Sequence, residues 1–60
     1  MKIGTLVKVK NVKSEKGYDL GIVMDIYMKS VDISMAEVFL FEENKTILAW
    51  AKDLETISEP

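Results

Sequence analysis

The segment TILAWAKDLETI, residues 46–57, decides between two folds. Ile47, Trp50, Ala51 and Leu54 stand at i, i+3, i+4 and i+7, the apolar stripe of an amphipathic helix. Asn44 or Thr46 would cap that helix. The same residues divide as readily into a strand over 46–50, one turn over 51–54 and a closing strand over 55–58. The first reading lays a helix over an open sheet. The second makes the domain wholly β.

Upstream, the apolar pattern has a period of two, which is the mark of half-buried strands. TLVKVKNV (5–12) alternates from Leu6 or Val7 onward and predicts strand one. KSEKGYD (13–19) is polar, carries Gly17 and Asp19, and reads as a loop. LGIVMDIYMK (20–29) is rich in Ile, Val and Tyr and predicts strand two. Gly21, near its start, marks a bulge or a close backbone approach. SVDIS (30–34) is a turn without glycine or proline, and MAEVFLFEE (35–43) predicts strand three. In EENK (42–45), Asn44 is the residue most tolerant of positive φ. The expected interior is Val7, Val9, Val23, Ile26, Leu54 and Ile57. Val38 and Leu40 share one face of strand three and Phe39 and Phe41 the other, and the alternation does not choose between them.

With 60 residues, the chain forms one domain over 1–60. A domain of that size buries only about 60% of the surface exposed by its unfolded chain, so its stability is marginal. It holds no cysteine and no histidine. Disulfides, thiolate or imidazole metal sites and the usual nucleophile–base pairs are therefore beyond its own residues. A hydrophobic share of 48% indicates a folded domain rather than a disordered tail. No run approaches the ~20 apolar residues of a membrane helix, and no basic segment leads into a leader-like apolar one. The expectation is a cytoplasmic protein that is not an enzyme, needs no cofactor or metal, and does not engage membranes.

The net charge is −2 but unevenly spread. Residues 1–16 carry Lys2, Lys8, Lys10, Lys13 and Lys16 against the single acid Glu15. That stretch is the candidate nucleic-acid edge. Against it stand the acidic pI of about 4.9 and the absence of arginine, the residue best suited to bidentate phosphate contacts. Lys8 and Lys10 alternating with Val7 and Val9 also make an ordinary wet strand face. The acids Asp25, Asp32, Glu37, Glu42 and Glu43 offer no catalytic pair: the chain has little room for a cleft, and Glu42 and Glu43 fall on opposite strand faces. No calcium-loop spacing is present, and Gly4, Gly17 and Gly21 form no phosphate loop.

Gly4 in MKIGTLVKVK, Gly21 in GIVMDI and the ending AKDLETI compose a pattern G-x-x-V-x-V, G-x-V-x-x-I and D-L-E-x-I. Over residues 3–58 this resembles small SH3-like barrels, most of all the single-domain SH3-like proteins encoded by tailed phages, and more loosely KOW-type modules and a small stromal protein of photosystem I. The resemblance implies a five-stranded all-β barrel in which residues 51–54 form one short 3₁₀ turn and Ile57 pairs back beside strand one. It turns the reading of residues 46–57 away from the helix. It departs from the related hairpins at Glu43-Asn44, where those often turn on Asp-Gly.

The resemblance further implies a binding module that holds a peptide or a flat ring on aromatics near the first long loop. Tyr18 lies in that loop, Tyr27 on strand two and Trp50 before the closing turn. Met24, Met28 and Met35 surround the strand two–strand three hairpin, and methionine recurs on adaptable interfaces as well as in irregular core gaps. These six residues are the candidate protein-binding set. The expected partner is a protein or a second copy, and the expected role is that of a phage accessory or virion-associated factor. The alternative is a nucleic-acid module using the five N-terminal lysines.

Overall fold

Leu6–Val9 (β1), Asp19–Met28 (β2), Ser34–Leu40 (β3), Lys45–Trp50 (β4) and Leu54–Ser58 (β5) form one antiparallel sheet in the order β4-β3-β2-β1-β5. The structure is a computed structural model and describes residues 1–10, 14–28, 30–31 and 33–60. Lys13, Lys29 and Asp32 lie outside the described residues. Within TILAWAKDLETI, β4 ends at Trp50, a 3₁₀ turn covers Ala51–Asp53, and β5 begins at Leu54. The helical stripe gives way because β4 finds a partner along its length: Ile47 faces Val38, Ala49 faces Ala36 and Trp50 faces Met35. Among the described residues there is no α-helix.

The alternation sorts β3 cleanly. Val38 and Leu40 are fully buried with Val7, Val9, Val23 and Ala36, while Phe39 and Phe41 turn to the other side. Ile26, Ile47 and Leu54 close over this cluster, so the outermost strands β4 and β5 both contribute to covering it. Two strands carry irregularities. One extra residue, Met24, interrupts the β2–β3 register between Val23 and Asp25. The β1–β5 register shifts so that Leu6 faces Ser58 and Val7 faces Thr56, which leaves Ile57 as the extra residue. Such bulges bend and twist the strand that holds them.

Several expectations change here. Ile57 does not join the interior and is 46% exposed. It stands three residues from Leu54, an odd spacing that a strand cannot place on one face, and the bulge turns it outward. Strand three ends at Leu40, not at residue 43. The turn runs over Phe41–Asn44, closed by the Asn44 N–H donating to the Leu40 carbonyl at 2.9 Å. Asn44 takes the expected positive φ, 53°. The bulge of β2 falls at Met24, and Gly21 is instead the close approach.

A Cβ at residue 21 would lie 2.6 Å from both the Phe39 carbonyl oxygen and Val38 Cγ1. Backbone cannot yield there as a flexible side chain would. Gly21→Ala is therefore expected to cost about 1–3 kcal/mol, the range of core overpacking. The midpoint of urea unfolding measures it, and an unchanged midpoint would contradict the β2–β3 approach.

Candidate functional site

The register fixes what the second face of the sheet carries. Met35 on β3 faces Tyr27 on β2 and Trp50 on β4, so the three form one row across three strands. Adjacent strands lie about 4.8 Å apart, which sets Tyr27 and Trp50 roughly 10 Å from each other with Met35 between. Tyr27 is 44% and Trp50 41% exposed, and Met35 is half-buried. The next row is Asp25, Glu37 and Leu48, with Leu48 60% exposed. Beyond it come Ile22, Phe39 and Thr46, and the Phe39 ring meets Phe41 edge-on at 6.1 Å between centroids. A shallow cavity of about 240 Å³ opens beside Trp50, lined also by Ile33, Ser34, Ala51 and Lys52.

Three of the six residues expected to bind protein, Tyr27, Met35 and Trp50, thus converge. Met24 is exposed at the bulge and Met28 is exposed at the end of β2, opposite Ser34 rather than in the row. Tyr18 belongs to a different neighbourhood. Lys8 Nζ lies 4.5 Å from its ring centroid and Lys16 Nζ 5.9 Å, so two cations cover it.

The candidate nucleic-acid lysines are drawn into that second neighbourhood. Lys8 and Lys10 both approach Glu55, at 3.7 and 3.5 Å, and Lys16 bonds Glu42 at 2.7 Å. The bond to Glu42 and its charge raise the Lys16 ammonium above its ordinary value. Lys2 is exposed near the N-terminus, and its backbone N–H donates to Thr5 Oγ1. The positive charge of β1 is therefore offset locally by acids from β5 and from the β3–β4 turn.

Two acids weighed in the sequence only as a catalytic pair, and set aside there, complete the first surface. Asp25 and Glu37 face one another directly across β2 and β3. Their adjacency depends on the extra residue at Met24, which alternation alone does not reveal. Asp25 Oδ1 accepts the Ile26 N–H at 2.8 Å, which ties this carboxylate to the bulge. Both charges act on Tyr27: Asp25 first, then Glu37, raise its phenol above the ordinary value of about 10. No group of three or more metal-ligating side chains gathers among the described residues. Among the described residues no helix is long and apolar enough to cross a membrane. Comparison with protein-family models, curated proteins and solved structures finds no match for the chain.

The raised phenol has a measurable sign. Folding favours the neutral Tyr27, so its contribution is present below pH 10 and is lost as pH rises through the folded-state value. In a Tyr18→Phe background Tyr27 is the only tyrosine. Its ultraviolet titration should have a midpoint above that of the unfolded chain, and Glu37→Gln should bring it down. A midpoint indifferent to Glu37 would place the carboxylate out of range.

Proposed function

We propose that the chain is a non-catalytic, protein-binding module of the SH3-like barrel type. The architectural half of this reading is supported by the strand order, by β1 pairing with both β2 and β5, and by the lone 3₁₀ turn between β4 and β5. The reading is further supported by Ile47 of β4 and Leu54 of β5, which pack from the two outermost strands against the one buried cluster, with no helix over it among the described residues. The accessory or virion-associated role implied by the phage-type resemblance suits a module that works by contact.

The functional half rests on one observation, the Tyr27–Met35–Trp50 row with Leu48 beside it. Aromatic residues and methionine are enriched in interfaces because they offer large contact area on few rotatable bonds or adapt to a partner's shape. Here Tyr27, Leu48 and Trp50 stand exposed, with Met35 half-buried among them, on paired strands that hold them in fixed positions. Nucleic-acid binding has less support: Lys8, Lys10 and Lys16 each sit against a glutamate, and stripping those contacts would offset part of the phosphate attraction.

A photoreactive benzoylphenylalanine in place of Leu48 tests the module reading in an extract of the source cells. A discrete polypeptide adduct is expected. The unlabelled native chain should suppress it, while a Tyr27→Ser/Leu48→Ser competitor should need at least tenfold more protein. Each substitution removes a cross-strand contact worth about 0.2–1 kcal/mol, so the competitor's urea midpoint is measured first and the comparison is made under conditions where it is folded. No adduct, or equal suppression by the two competitors, would refute an interface on this face.

A further inference from the structure

We infer that the segment docking on this face presents a cation, an arginine or lysine side chain flanked by apolar ones, seated between the Asp25–Glu37 pair and the Tyr27–Trp50 row. The inference rests on the proposed binding face and specifies its partner.

Like charges placed directly opposite on neighbouring strands destabilise a sheet. Asp25 and Glu37 are so placed, on the half-exposed side of β2 and β3. Elsewhere several charges lie against an opposite one: Lys8 and Lys10 share Glu55, Lys16 meets Glu42 and Lys45 meets Glu43, while Glu15, Asp53 and Glu59 stand singly with no ion pair among the described residues. Neither Asp25 nor Glu37 has a cation within ion-pair distance among the described residues. What sets Asp25 and Glu37 apart is that they are opposed in register, and this doubled negative charge coincides with the exposed aromatic surface. A cation entering there meets two carboxylates and can lie over the Tyr27 or Trp50 ring, contacts that strengthen as docking excludes water. Leu48 and Met35 bracket the same spot and accept apolar neighbours of that cation. Lys52 lies past Trp50, beside the cavity with Ile33, and not in the acid row. A second copy packed with its two-fold axis through this row would bring acid pairs together, so charge complementarity favours a basic, apolar segment over self-association centred here.

Trp50 is the only tryptophan, so its emission reports on this face. The probes are blocked hexapeptides of alternating leucine with arginine, glutamine or glutamate. The leucine–arginine peptide should shift Trp50 emission saturably, at least tenfold more tightly than the other two. Asp25→Asn/Glu37→Gln should weaken it at least tenfold while raising Tm by about 1–6 °C, since one repulsion is removed. Glu15→Gln/Glu59→Gln changes net charge equally and should leave affinity within twofold. Equal binding of the arginine and glutamine peptides would overturn the cation and leave the interface standing. Equal loss in both double variants would reduce the effect to overall charge and overturn the site. No emission change with any peptide at millimolar concentration would overturn the inference, with the photo-crosslink then judging the interface itself. A concentration-dependent emission shift without peptide would overturn it in favour of a second copy.

Discussion

With no α-helix among the described residues to lie on, the sheet must cover its own buried face, and the rest of this structure follows from that demand. Val7, Val9, Val23, Val38 and Leu40 reach almost complete burial in a five-stranded sheet of 60 residues. They do so because Ile47 and Leu54 from the outermost strands pack onto the cluster. The strands must therefore curve, and the curvature is built from local devices. Gly21 lets β2 approach the Phe39 backbone, the extra residues Met24 and Ile57 bend their strands, and Ala51–Asp53 carries the chain from β4 on one edge to β5 on the other.

Covering one face settles what is left on the other. β3 is apolar on both sides, so burying Val38 and Leu40 commits Phe39 and Phe41 to the second face. That face divides by its electrostatics. Around Tyr18, Lys8 and Lys10 share Glu55, Lys16 meets Glu42, and Lys8 and Lys16 approach the ring, so positive charge there is largely offset. Around Tyr27, two acids stand together beside exposed aromatics. The overall charge of −2 hides this contrast because it averages two unlike regions.

How much was legible varies with the range of the signal. The short-range features were: period two located the first three strands and Asn44 marked a positive φ, whereas the last strand is legible only through the resemblance. The helical stripe over Ile47–Leu54 misleads because a strand, a 3₁₀ turn and a strand can produce the same spacing as one helix. Ile57 misleads for another reason: its apolar character groups it with Leu54, although a strand spacing of three puts the two on opposite faces. Grouping Tyr27, Met35 and Trp50 was possible from residue type alone, but aligning them in a row required the register. The Asp25–Glu37 opposition was not legible at all, because it depends on one unpaired residue between Val23 and Asp25.

That opposition also bears on stability. A domain this small has few kilocalories to lose, and an opposed like-charge pair on a half-exposed face costs it some tenths to about 1 kcal/mol. A single Glu37→Gln change would relieve the cost without touching the buried cluster, whose members lie on the other face of β3. Local conflicts of this kind, set within an otherwise consistent pattern, concentrate where a protein does its work, because binding recovers what folding gives up. The position of the conflict agrees with that logic: it lies beside the exposed Tyr27, Leu48 and Trp50 side chains and away from the matched charges around Tyr18.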